Sequence, residues 1–133
     1  MKTPWRAWFR REKKKAAKLV SSPVEVIRAA DAAAEKARRV RGPLGRIWSD
    51  LQAAVRLTRA WARHEYRDVS RGTIVLILGG LLYLVSPIDA IVDAIPVLGT
   101  IDDAAVLGWV LAQVRAELDL FREWEGRRQL APA

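Results

Sequence analysis

Seventeen consecutive uncharged residues, Gly72 to Ile88, constrain this chain more than any other feature. Their core, TIVLILGGLLYLV from Thr73 to Val85, is apolar on every side, so a helix formed there has no face for water. It must be covered by protein or by lipid. At ~1.5 Å per residue it spans ~20 Å, short of the ~30 Å hydrocarbon core of a bilayer. A second uncharged run of 11 residues follows at Ala104 to Val114, and the only charges between Gly72 and Val114 are Asp89, Asp93, Asp102 and Asp103. The Leu, Ile and Val residues of the first run favour insertion by ~3 to 5 kcal/mol in sum, whereas one ionised aspartate at mid-bilayer costs ~3 kcal/mol. The four carboxylates therefore belong at an interface or in a protein-lined pocket, or are paired or protonated.

The stretch between the two runs is dense in stop and start signals. Ser86-Pro87-Ile88-Asp89 forms a capping box with proline at the first helical position, and that proline also ends the preceding helix near Val85. A short helix is expected from Pro87 to about Ala94. Pro96-Val97-Leu98-Gly99 breaks it, and Thr100-Ile101-Asp102-Asp103 opens the next with acids at the positive helix end. From there Leu107, Leu111, Val114, Leu118 and Phe121 recur at spacings of four and three, a helical stripe reaching about Trp124. Residues 73–125 thus predict a helical hairpin with a short kinked helix at the bend.

Tyr83, Ser86, Pro87, Ile88, Asp89, Ile91, Asp93, Ile95, Pro96, Gly99, Asp102 and Asp103 also carry a resemblance. LLYLVSPIDAIVDAIPVLGTIDDAAVL resembles the YkvA family, a domain of unknown function numbered 1232, whose core runs Y-L-x-S-P-I-D-x-I-P-D-x-I-P-x-x-G-x-x-D-D. Val92 stands where the family usually has proline, which implies a softer kink. The resemblance covers roughly residues 66–115 and does not extend to the basic amino-terminal part. It implies a small bacterial protein associated with membranes and brings no catalytic activity with it. A related segment occurs in the membrane portion of some eukaryotic ubiquitin ligases.

Charge separates the rest of the chain from this part. Of 23 Lys and Arg residues, 19 precede Gly72, and the net charge is +8. Thr3-Pro4 starts a helix with Trp5, Trp8, Phe9, Ala16, Leu19 and Val20 near one face and Arg6, Arg10, Arg11, Lys13, Lys14, Lys15 and Lys18 elsewhere. Such a cationic amphipathic helix suits anionic headgroups with tryptophans at the acyl boundary, nucleic-acid phosphates, or loose packing as a solvated arm. Ser22-Pro23-Val24-Glu25 starts a second helix, to about Val40, whose stripe of Val24, Ile27, Ala30, Ala34 and Ala37 buries little area and predicts a frayed or partner-dependent element. After Arg41-Gly42-Pro43 a third helix is expected to about Asp68, with Ile47, Trp48, Leu51, Ala54, Val55, Thr58, Trp61 and Ala62 on one side. The chain has no cysteine and only His64 as histidine, which argues against a thiolate or His/Cys zinc site and a disulfide scaffold. No secretory signal is recognisable at the amino terminus.

The expected fold is all-α: a basic amphipathic helical region over 1–42, a YkvA-like helical domain over 43–126 with its core motif at 83–103, and a flexible tail over 127–133. Ser86, Asp89, Thr100 and Asp103 have capping roles, and Pro87, Pro96 and Gly99 set corners; Asp93 and Asp102 are left over. These carboxylates could instead accept forks from Arg63, Arg67 or Arg71, or converge on a hard divalent ion. No catalytic residue, cofactor or small-molecule substrate is read from the pattern. The expectation is a membrane-associated anchor, adaptor or scaffold whose hairpin inserts into or lies within a bacterial inner membrane as a transmembrane helix element, the basic helices staying on the cytoplasmic face, with anionic lipids as partner and a homodimer or another protein as a further one. A soluble cytoplasmic bundle, its hairpin covered by the Trp48/Trp61 face of the third helix, is the alternative. Nucleic-acid binding ranks behind both, because the aromatic residues do not alternate with the arginines as stacking platforms would.

Overall fold

The computed structural model describes residues 4–39, 45–85 and 106–130, with the side chains of residues 4–8, 46 and 130 left aside. It is all-α, with no strand among the described residues. Helix α1 is Pro4–Leu19, α2 is Pro23–Arg39, a 3-10 turn covers Gly45–Ile47, α3 is Trp48–Ala62 and α4 is Arg71–Val85. Residues 106–113 form α5, and Arg115–Leu130 form α6. The short kinked helix expected at the bend lies outside the described residues, as do Ser86, Pro87, Asp89, Asp93, Pro96, Gly99, Asp102 and Asp103.

The apolar helix α4 is the element around which the others pack. Ser70 caps it: its Oγ accepts from the Thr73 amide at 3.1 Å, so the helix begins at Arg71, two residues before its apolar run. Fifteen residues give ~22 Å of rod. Ile74, Ile77, Leu78, Leu81, Tyr83 and Leu84 are buried, and Val75, Leu76, Leu82 and Val85 are half-buried. Among the described residues no helix is long and apolar enough to cross a membrane, and the transmembrane helix expected from sequence finds no support there. The covering is done by α1 and α2, with α3 touching α4 less extensively. Helix α3, expected to cover the hairpin with its Trp48/Trp61 face, touches both α4 and α6 and lies more extensively against α2.

Two glycines permit the close approaches. A Cβ built on Gly79 would stand 3.2 Å from the Cα of Lys13, so the backbone of α1 lies directly over α4 at this point. One built on Gly80 would meet Val110 Cγ1 at 3.3 Å and Leu107 Cδ2 at 3.6 Å, so α5 packs on the next residue round the helix. The two uncharged runs therefore touch.

Helix α2 is a packed element and not a frayed one. Val26, Ala29, Ala30, Ala33 and Ala37 are buried, while Val24 is 63% exposed. The buried face is rotated from the predicted stripe because alanines occupy several faces of this helix, and its small side chains let α3 and α4 approach closely. Helix α3 stops at Ala62, earlier than predicted: Arg63 closes it, His64 takes a left-handed backbone with φ 63°, and the chain turns to tuck Tyr66 into the core. Leu107, Leu111, Val114, Leu118 and Phe121 are all buried, as their spacing predicts. Helical hydrogen bonds carry across the junction, from Val114 N to Val110 O at 3.2 Å and from Leu118 N to Val114 O at 3.0 Å. The rod continues to Leu130, into the region from 127 onward expected to be a tail.

Candidate functional site

The described side chains of α1 divide between two sides. Phe9, Glu12 and Ala16, with Val20 just past the helix end, are buried, Leu19 is half-buried, and Arg10, Arg11, Lys13, Lys14, Lys15 and Lys18 are exposed. At 100° per residue the four buried positions lie together over α4, and Arg10, Arg11, Lys14 and Lys18 are centred opposite them. Lys13 and Lys15 flank this group. Lys15 reaches back to the buried Glu12 carboxylate at 3.4 Å, which leaves the other five cations unopposed by any acid of their own helix. Phe9 meets Trp109 of α5 edge-on at 5.8 Å and packs with Tyr83, Val106 and Val110. The apolar face of α1 is thus turned to protein and its cationic face to the surroundings. Trp5, Arg6 and Trp8 belong to the same helix, with side chains outside the described set.

The aspartates of the acidic bend lie outside the described residues, and the arginines offered for them have these described surroundings. Arg71 donates to Ser21 Oγ at 2.7 Å, tying the start of α4 to the end of α1, and Arg67 bonds the ring of His64. Arg63 is exposed and has no partner among the described residues. No group of three or more His, Asp or Glu side chains among the described residues could hold a metal ion.

Ion pairs fasten α6 to α3, and nothing in the spacing of either helix announces them. Asp50 accepts from Arg122 at 2.8 Å and from Arg115 at 3.2 Å, and Arg56 forks onto Glu125 at 2.8 and 3.1 Å. Arg59 pairs with Asp31 of α2 at 2.7 Å. Beside them Tyr66, Phe121 and Trp124 form an aromatic cluster with ring centres 5.1 to 5.6 Å apart. Burial there, helped by the nearby Asp68 carboxylate, pushes the Tyr66 hydroxyl above its ordinary pKa. At the surface of α2 the Arg38 guanidinium, hydrogen-bonded to Glu35, holds that carboxyl below its usual range.

An all-helical unit built round one oily helix, with the second oily run packed on it, is the setting in which residues 73–109 match the family described as "Protein of unknown function (DUF1232)". The match agrees with the resemblance to the YkvA family carried by the motif. A relative is the "Uncharacterized membrane protein YkvA" of Bacillus subtilis (strain 168), 38% identical over 68 residues, which are 51% of this chain and 64% of that protein's length. The chain therefore spans a little under two thirds of this relative. No solved structure matches the chain.

Proposed function

We propose that this chain works at the cytoplasmic face of a bacterial inner membrane as a non-catalytic anchor, adaptor or scaffold, attached to anionic lipid through the outward cations of α1. The observation that carries this reading is the orientation of α1: Arg10, Arg11, Lys14 and Lys18 face away from the protein, while the apolar side is already occupied by α4 and α5. The similarity to the Bacillus relative, a protein named for the membrane, supports it. Attachment of this kind is electrostatic and peripheral. Each Lys or Arg near an anionic surface contributes ~1 kcal/mol, and salt weakens the contribution.

The test is co-sedimentation with phosphatidylglycerol-containing vesicles at low and high salt. The wild-type chain binds anionic vesicles, not purely zwitterionic ones, and the combined Arg11→Gln, Lys14→Gln and Lys18→Gln variant binds on the order of 100-fold more weakly at low salt. In cells, carbonate washing extracts the protein. Wild-type protein left in the supernatant with anionic vesicles at low salt would end this reading.

A second reading is favoured by the burial of α4 under α1 and α2: a cytoplasmic helical bundle that binds a protein partner or a second copy of itself. Detergent-free monomer with a cooperative melt and no affinity for anionic vesicles would select it. Steeply salt-dependent binding to duplex DNA without vesicle binding would select nucleic acid instead.

A further inference from the structure

A cavity of about 390 Å³ opens between α3 and α6, apart from α1, and its wall combines Arg56, Arg59, Arg63 and Arg128 with Trp124 and with two carboxylates, Glu65 and Glu125. Its size is that of a small-molecule site. Arg56 and Arg59 of α3 and Arg63, the residue that closes it, fall within an arc of roughly 60° at 100° per residue, so they form one row. Arg128 comes from the facing helix, stacked over the Trp124 ring at 5.1 Å and paired with Glu65 at 3.6 Å.

The ion pairs position two of these groups without saturating them. Arg56 donates through Nε and Nη2 to the two oxygens of Glu125, and Arg59 donates through Nε to Asp31 Oδ1, with its Nη2 2.7 Å from the same oxygen. Each fork is held by its carboxylate, and in each Nη1 carries no hydrogen bond among the described residues. Arg63, one and two turns along the same row, keeps its whole guanidinium unpartnered among the described residues. Planar guanidinium forks fixed in this way match the tetrahedral oxygens of a phosphate group, which a lysine row would meet only as point charges. Half-buried Trp124, with Arg128 over its ring and the buried Phe121 stacked on it, is the aromatic surface left for the rest of a ligand.

We infer that this cavity binds a phosphate monoester, its oxygens received by Arg56, Arg59 and Arg63 and its organic part lying against Trp124. The source of the group is a free ester or the headgroup of a lipid. The inference does not depend on α1 or on membrane attachment.

The experiment is calorimetric titration of the full chain with glycerol 3-phosphate at constant ionic strength, beside flotation with vesicles containing phosphatidic acid. Saturable binding in either arm is expected, weakened about tenfold by Arg63→Gln and less by Arg63→Lys. Arg63 is exposed and has no partner among the described residues, so its replacement leaves the fold intact. The α1 variant carrying Arg11→Gln, Lys14→Gln and Lys18→Gln keeps wild-type affinity for the soluble ester, which separates this site from the membrane face. Binding in the soluble arm identifies a free ester, and Arg63-dependent binding confined to vesicles identifies the lipid. No saturable binding up to about 10 mM ester or to the vesicles overturns the inference. So does an affinity that Arg63→Gln leaves unchanged.

Discussion

Replacing Gly79 places a side chain where the backbone of α1 already stands, 3.2 Å from the first added atom. Alanine there gains ~1 kcal/mol of helix propensity over glycine, which offsets the tightened contact with Lys13, so Gly79→Ala is close to neutral. Leucine has no such balance. Gly79→Leu lowers stability by ~1 to 3 kcal/mol in urea unfolding and raises protease sensitivity in α1, because one helix must move. Tyr66 supplies a pH dependence of known sign. Its folded pKa is raised above the ordinary 10.0, first by burial and then by Asp68, so the folded state binds the phenolic proton more tightly than the unfolded chain. That stability is fully present below pH 10 and is lost as pH rises toward the folded value. Tyr66→Phe flattens the fall in urea midpoint over this alkaline range.

At the scale of an element, α6 is held to the protein by a buried stripe that ends in Phe121 and by Asp50, which receives both Arg115 and Arg122. Asp50→Asn removes the charge while keeping the shape, and costs about 1 kcal/mol. Amide exchange quickens over residues 115–130 with that variant and stays unchanged in α4. The stripe itself is legible in sequence: the four-three recurrence from Leu107 to Phe121 places every one of those side chains in the core. The starts of α1 and α2 are equally plain at Pro4 and Pro23, each preceded by a capping residue. What was not legible is which element covers which. The apolar face of α1 has the same pattern whether it meets lipid or α4, and Gly79-Gly80 looks like two small residues in an oily run until the close approach of Lys13 and Val110 gives each a purpose. Helix α2 misleads for a related reason, since its alanines satisfy several stripes equally well and only the approach of α3 and α4 chooses among them. The early end of α3 follows from a backbone conformation at His64 that glycine or asparagine would have signalled and histidine does not.

For the whole molecule, the division between an oily centre and a cationic exterior makes α1 the piece whose removal is most informative. Deleting residues 1–20 strips the cover from Gly79 and its neighbours and from the Phe9 contact with Trp109. The truncated chain self-associates in gel filtration without detergent and binds a hydrophobic dye that the full chain does not. A truncated chain that stays monomeric and dye-free would show that α1 is dispensable as a cover. The acidic motif through which the family is recognised contributes nothing to this expectation, because the exposed surface would come from α4 and α5.

The order of the elements along the polypeptide gives their packing a temporal side. Helices α1 and α2, which shield α4, are synthesised before it, so a ribosome releases the shield while the greasy segment is still in the exit tunnel. When that segment emerges, its own chain competes at once with any insertion machinery for possession of it. A version of the gene with the same helices rearranged so that α4 came first would lose this head start, although every contact in the finished protein were preserved.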